Sequence, residues 1–356
     1  MEKRPKISVI MPVYNAQRYI VNALESLISQ TFEDLEIIVV NNNSTDKTGA
    51  ICAEFAKKDS RITALNSQEN LGPGKARNLA IDISKGEYII FMDGDDTIES
   101  DMLEILYSKA IDRNCDVVVC GYFQDFLDEN DKLAYTVKVD APMIECCNNK
   151  ECIAAIPVLD VAKVMSFSWN KIYRASVIKE NNVRFPDMRH SEDYFFLMEL
   201  MRYITSLYTV SNNLYHYNKT KTSTLTNQPH LKGFTELVLS RFATQKELLE
   251  SGFVFEGDVR SKSCAVHIKH IFSALENSRK KASGMSARDR RKEIKMLLSN
   301  EDTVLAIRYA GAYGKAQAVM NAIIKTRSPF VVGMFVGLVC FVKNNMSSVF
   351  NKLKVK

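Results

Sequence analysis

The chain has 356 residues, 46% of them hydrophobic and 25% charged, with 47 Lys and Arg against 42 Asp and Glu. This is the composition of a globular protein long enough for two domains, and it excludes a disordered or fibrous chain. Eight scattered Cys without a Cys-x-x-Cys pair argue against a zinc site or a disulfide framework and for reduced, packed thiols.

The opening "MEKRPKISVIMPVYN" carries a basic start, but its apolar run is short, holds Pro12 and lacks a small-residue cleavage site. It reads as a strand, not a leader, and a cytoplasmic protein is expected. "ISVIMPV" (7–13) is followed by Ile20, Ala23, Leu24, Leu27 and Ile28 at helical spacing. "LEIIVV" (35–40) is a second strand. A helix follows it, with Ser44 or Asp46 as N-cap. "RITALN" (61–66) is a third strand, and Gly72-Pro73-Gly74 turns into a third helix, "GKARNLAIDIS". "YIIFM" (88–92) is a fourth strand. Strands apolar on both faces and alternating with helices predict an α/β domain with a parallel sheet covered on both sides. Its ligands should gather at the carboxyl ends of the strands, where Asn41–Asn43 and Asp93–Asp96 fall.

Beyond residue 115 the pattern changes. "CDVVVCGYF" is a strand, "DENDK" (128–132) a turn into "LAYTVKV", and 191–203 a helix with Ser191 as N-cap. Residues 206–218 read as a strand pair. From about 228 the chain is mostly helical, which divides it into an α/β domain at 1–226 and a helical region at 227–356. The charge divides too. Residues 227–356 carry 22 Lys and Arg against 10 Asp and Glu, so the net-positive chain has an acidic front and a basic back. A basic back suits an anionic partner. Nucleic acid is not expected, because the basic stretch 278–295 contains no aromatic residue.

Residues 91–96, "FMDGDD", place Asp93, Asp95 and Asp96 directly behind a buried strand. An Asp-Gly turn is the plain reading. Three carboxylates in four positions exceed what a turn needs, because their repulsion raises their pKa values unless a cation is present. A divalent ion with oxygen ligands removes that cost.

In order along the chain, "VIMPVYNAQRYI", "IIVVNNNSTDKT", "NLGPGKARNLAI", "FMDGDD", "SFSWNKIYRASVI" and "HSEDYFF" resemble the motifs of family 2 glycosyltransferases of the GT-A fold. The resemblance covers about residues 6–220. It implies a GT-A (Rossmann-like) nucleotide-sugar-binding domain and inverting transfer of a sugar from a nucleotide-diphosphate donor. The donor is expected to be a UDP-sugar. The acceptor would be a hydroxyl of a glycan or lipid-linked molecule in bacterial surface polysaccharide synthesis. Mn²⁺ or Mg²⁺ would offset the charge that grows on the leaving diphosphate. By the same resemblance Asp95, Asp93 and His216 would hold the metal. Pro12, Tyr14, Asn42, Lys75, Arg77 and Asp93 would meet the nucleotide, and Asp96 would support the metal carboxylates. Asp193 would be the general base that takes the acceptor's proton, with Glu192 orienting the acceptor or the base. Plain readings stand beside these roles. Glu192 and Asp193 suit the first turn of a helix, Lys75 suits a solvated surface, His216 suits an aromatic core, and Trp169 suits either a place near the acceptor site or a structural one.

One departure matters. Where the family commonly has Asp-Asp-Gly, this chain has Asn41-Asn42-Asn43. Asn42 can still accept a hydrogen bond from a uracil N–H, without the strength of a charged acceptor. Asn43 in place of Gly requires a left-handed backbone that Asn tolerates.

The longest apolar run, "PFVVGMFVGLVCFV" (329–342), is too short to span a bilayer. Two readings stay open: a buried helix, or a helix lying in a membrane interface between Lys325, Arg327, Lys343, Lys352, Lys354 and Lys356. The second would give peripheral contact at the inner face of the cell membrane. Gly333 and Gly337 would permit close helix contact. Self-association into a homo-oligomer is left open. A sugar-phosphate nucleotidylyltransferase, the main rival, should carry a glycine-rich loop after its first strand, where this chain reads "PVYNAQRYI". A non-catalytic scaffold should have lost Asp95 or Asp193, and both are present.

Overall fold

The structure is a computed structural model that describes residues 4–188, 190–219, 234–280 and 283–345. It divides into two compact units, Met1–Thr222 and Ser223–Lys356.

The first unit opens with β1 (Ile7–Val13), α1 (Ile20–Ile28), β2 (Leu35–Asn41), α2 (Thr48–Lys58), β3 (Ile62–Asn66), α3 (Pro73–Ile83) and β4 (Tyr88–Phe91). The four strands pair in parallel in the order β3-β2-β1-β4. Every residue of β1 and β4 is buried, which is why their sequences are continuous apolar runs. The expected α2 caps shift by a residue or more: Lys47 holds the N-cap position, while the Asp46 carboxylate accepts from the Thr48 N–H at 2.9 Å.

The rest of this unit extends the sheet with mixed polarity. It comprises β5 (Thr97–Ile98), α4 (Met102–Asp112), β6 (Val117–Leu127), β7 (Leu133–Val139), β8 (Glu145–Cys146), α5 (Asn149–Val161), β9 (Lys171–Arg174), α6 (Ala175–Glu180), α7 (Glu192–Leu200) and β10 (Leu207–Lys219). β9 runs antiparallel between β4 and β6, and β10 lies parallel to β6. The strand pair expected at 206–218 is instead the single strand β10, with register shifts around Asn213. Ser211-Asn212-Asn213 reads as a turn in sequence. In the fold the Asn213 amide donates to the carbonyls of Tyr122 and Val139 at 3.1 and 3.0 Å, so the polar residue fills the irregularity. Gly121 makes room for it: a Cβ there would lie 2.8 Å from the Asn213 amide nitrogen.

The second unit is helical: α8 (Phe234–Ser251), α9 (Gly257–Asn277), α10 (Ala287–Ser299), α11 (Glu301–Tyr309), α12 (Lys315–Lys325) and α13 (Pro329–Asn345). Phe242, Ile268, Ile271, Leu297, Ile324, Val332 and Val336 share its core. α10 starts from a capping box in which Ser286 and Asp289 exchange hydrogen bonds. Among the described residues no helix is long and apolar enough to cross a membrane. Neither reading of 329–342 covers the whole of α13. Val332 and Val336 are buried, whereas Phe330, Met334, Leu338 and Phe341 are exposed. Gly333 and Gly337 serve the unit's own packing. The Arg279 guanidinium sits against Gly337 and donates to the Gly333 carbonyl. Lys352, Lys354 and Lys356 lie outside the described residues.

Candidate active site

The parallel strands β1, β2 and β4 end on the same side, and the polar motifs follow directly from them. After β4 the chain turns at Asp93–Asp96, closed by the Asp96 N–H donating to the Asp93 carbonyl at 3.2 Å. Gly94 passes so close to β1 that a Cβ would lie 2.6 Å from a Val13 methyl, so the turn admits no side chain there. Asp96 is only 1% exposed. It accepts from the Tyr215 hydroxyl at 2.7 Å and from the Asn218 N–H at 2.8 Å, which ties the turn to β10. The same Tyr215 hydroxyl accepts from the Asp93 N–H at 3.1 Å. Asp96 thus fastens the turn to a strand far away in sequence.

Asp95 differs from both neighbours. Burial, and then the charge of Asp93, push its carboxyl up to about 7. Asp96 is raised well above the usual carboxylate range for the same first reason, with the fields of Asp95 and Asp93 added. Burial and mutual repulsion thus both disfavour full ionisation of the turn.

Arg77 joins this turn to the second carboxylate pair. It lies on the buried face of α3 and is 3% exposed. Its Nη2 donates to Asp93 Oδ1 at 2.6 Å, and its Nη1 donates to Asp193 Oδ1 at 3.1 Å and Glu192 Oε1 at 3.3 Å. The guanidinium also lies over the Phe185 ring, 5.2 Å from its centre. Burial opposes the charge of Arg77, but the fields of Asp193, Asp93 and Glu192 outweigh it and keep it protonated. For the carboxylates burial wins over Arg77. Glu192 is pushed up to about 7 by burial and by the charge of Asp193, and Asp193 is also raised by burial. Glu192 and Asp193 form the first turn of α7, whose N-cap residue Ser191 has a left-handed backbone (φ 65°) and no side-chain capping bond.

A loop ahead of β9 completes the support of Asp193. The Ser168 hydroxyl donates to Asp193 Oδ1 at 3.1 Å. The Lys171 ammonium fastens the loop by donating to the carbonyls of Val164 and Phe167 at 2.7 and 2.6 Å, and the Tyr173 hydroxyl donates to the Ser168 carbonyl at 2.7 Å. Burial brings Lys171 down to about 7. The sequence reading assigned no role to Ser168, Lys171 or Tyr215. Trp169 is buried and stacks on Tyr215 and Phe167 with ring centres 4.2 and 4.8 Å apart, so its place is in the core.

The remaining expected residues divide. Pro12 is buried in β1 opposite Val40, and Tyr14 just beyond is exposed. Lys75 pairs with Asp187 at 2.7 Å on the surface. Asn43 has the expected left-handed backbone, φ 59°. Asn42 is buried and already occupied. Its oxygen accepts from the Leu71 N–H at 2.8 Å, and its amide donates to Asn70 at 3.0 Å. One lone pair of that oxygen is left for a ligand.

His216, expected as a metal ligand, sits between two carboxylates. Its Nδ1 lies 2.6 Å from Asp125 and its Nε2 3.0 Å from Glu99, and its ring stacks on Phe123. Both nitrogens thus lie within hydrogen-bond distance of carboxylates. Among the described residues no three His, Cys, Asp or Glu side chains form a metal cage. Asp95 and the Asp93 oxygen not bonded to Arg77 nevertheless fit a divalent ion of the kind that takes one or two carboxylates and completes its shell with phosphate oxygens and water. The placement of both carboxylates in one tight turn at the end of β4 is the observation behind that fit.

Comparison with known proteins agrees with this geometry. Residues 8–138 match the family model described as glycosyl transferase family 2. EpsH of Bacillus subtilis (strain 168) is 36% identical over 251 residues, 70% of this chain and 66% of EpsH. Glycosyltransferase GlyA of Streptococcus pneumoniae serotype 4 is 29% identical over 332 residues, 89% of this chain but 45% of GlyA. The chain thus spans about half to two thirds of the length of these relatives. In structure, residues 1–349 of S. aureus TarS, solved in complex with UDP-GlcNAc, superpose with a TM-score of 0.62 at 21% identity, covering 92% of this chain and 90% of that one. That likeness establishes the GT-A fold, with a helical C-terminal region following it. The chain belongs to glycosyl transferase family 2.

Proposed function

We propose that this protein transfers a sugar, with inversion, from a nucleotide-diphosphate sugar to a hydroxyl of a glycan or lipid-linked acceptor. The observation that carries the reading is the buried Arg77, which holds Asp93 at the end of β4 and Glu192–Asp193 at the start of α7 on one guanidinium. It gathers a donor-side carboxylate and a candidate base into one network. The donor is proposed to be a UDP-sugar. The spare lone pair of Asn42 supports this, as does the UDP-GlcNAc bound by the fold neighbour TarS. Asp95 and Asp93 would hold Mn²⁺ or Mg²⁺, which when bound stabilises charge on the departing diphosphate. The work is proposed to take place at the inner face of the cell membrane, in surface polysaccharide synthesis.

The protein's own groups supply the rest. Asp193, held at Oδ1 by Arg77 and Ser168, takes the proton of the acceptor hydroxyl as the new C–O bond forms. Its raised pKa makes it a stronger base than a solvated Asp. Glu192 beside it orients the acceptor. Arg77 keeps both carboxylates in place and limits their repulsion.

The test is diphosphate release from a panel of nucleotide sugars in Mn²⁺, with added sugar acceptors. One donor should turn over, and Asp193→Asn should slow transfer by about 10² or more while donor binding persists. Undiminished transfer by Asp193→Asn removes it as the base.

A further inference from the structure

We propose that the outward face of α13 docks the protein on an anionic phospholipid bilayer, with the helix lying in the plane of the surface. The proposal goes beyond the catalytic reading and draws on different residues. Phe330, Met334, Leu338 and Phe341 are 72, 61, 60 and 61% exposed. At 3.6 residues per turn their positions fall within an arc of about 80°. Val332 and Val336, on the opposite side, are 0 and 1% exposed and belong to the core of the helical unit. α13 is therefore anchored by one face and presents a row of four large apolar side chains on the other. Such a row is unusual on a protein surface that meets only water.

Charge selects the occupant. The exposed side chains of Lys325 and Arg327 lie just ahead of α13. α10 packs against it, with Ile294 within 3.3 Å of where a Cβ on Gly333 would sit, and carries the exposed Arg288, Arg291, Lys292 and Lys295. A cavity of about 380 Å³ beside the start of α13 is lined by Lys295 and Arg327 together with Met296, Leu298, Ser299 and Pro329. Its mixture of cations, a hydroxyl and apolar groups suits a phosphate headgroup and the first carbons of its chains. A second copy of the same surface would bring these cations against each other, which disfavours self-pairing. The helix has 17 residues, about 25 Å in length, and so cannot span the ~30 Å hydrocarbon layer. An apolar row flanked by cations on a helix too short to span is the arrangement of an interfacial helix.

The experiment is flotation of the full-length protein with phosphatidylcholine vesicles, with and without about one quarter phosphatidylglycerol, at low salt. Anionic vesicles should carry up about tenfold more protein than neutral ones. Serine at Phe330, Met334, Leu338 and Phe341 together should bring that fraction to the neutral level. Lys295→Glu with Arg327→Glu should do the same through charge. All six residues lie outside the catalytic machinery, so nucleotide-sugar hydrolysis should match the wild type, and circular dichroism reports folding. If the serine variant misfolds, the charge variant decides. Wild-type protein that stays at the bottom of the gradient overturns the proposal, as does unchanged flotation of the variants. A wild-type dimer by light scattering that the serine substitutions convert to monomer also overturns it, in favour of a self-pairing face. Vesicle binding needs no donor, so failure of the hydrolysis assay would count against the catalytic reading alone.

Discussion

Replacing Arg77 with Met removes the one cation shared by three carboxylates while keeping a side chain of similar length. The Asp93 side chain is 32% exposed, so solvent already screens its pairing. Those of Glu192 and Asp193 are 13 and 17% exposed, and their loss dominates. Leaving a buried partner unpaired costs about 3–5 kcal/mol. The cost depends on pH in a defined direction. Glu192 has a folded-state pKa raised to about 7, so the stability tied to it is fully present below its unfolded pKa and is lost as pH rises through about 7. Without Arg77 that pKa moves higher still. The variant's deficit therefore opens between pH 7 and pH 8, where Glu192 is ionised in the wild type but held protonated, or ionised at a cost, in the variant. If its pKa in the variant exceeds 8, Glu192 alone accounts for about 1.4 kcal/mol of that difference, one pKa unit. Urea unfolding of both proteins at pH 6, 7 and 8 measures it. A deficit below about 1 kcal/mol at pH 8, or one that grows as pH falls, would refute the assignment of Arg77 as the charge centre of the site.

Ser168→Ala removes a hydrogen bond that favours the ionised form of Asp193, so the acid limb of the pH–rate profile should move to higher pH while the fold is retained. An unmoved limb would mean that Asp193 does not titrate in catalysis. Asn42→Ala takes away the acceptor of the Leu71 N–H and the donor to Asn70, and should lower stability by about 1–3 kcal/mol and weaken uridine nucleotide binding, read by denaturation and calorimetry. Unchanged nucleotide affinity would place the base elsewhere.

Much of the catalytic half was legible in sequence because its elements are local. The runs 7–13, 35–40, 61–66 and 88–92 are apolar on both faces only if both faces are covered, and each is a strand of the parallel sheet. What escaped depends on contacts distant in sequence. Nothing near Asp96 announces Tyr215, 119 positions away, and nothing near Asp193 announces Ser168. The neighbours of His216 were hidden for the same reason: the carboxylates of Asp125 and Glu99 beside it come from β6 and from the segment after β5. β10 was divided in two because Ser211-Asn212-Asn213 has turn composition, and only the paired strand shows that Asn213 bonds across a bulge. In the helical half the apolar run of α13 was visible. Its division into a packed side and an open side became visible only with the helices around it in place.

The central claim is that the clustered carboxylates after β4 hold a divalent ion together with the donor's diphosphate. Titration calorimetry of uridine diphosphate into the wild type and Asp95→Asn, each with Mn²⁺ and with EDTA, tests it directly. The account predicts that Mn²⁺ tightens binding to the wild type by about tenfold or more, near 1.4 kcal/mol at least, and leaves Asp95→Asn unaffected. Equal affinity of the wild type in Mn²⁺ and in EDTA, or a full Mn²⁺ response in Asp95→Asn, would contradict it.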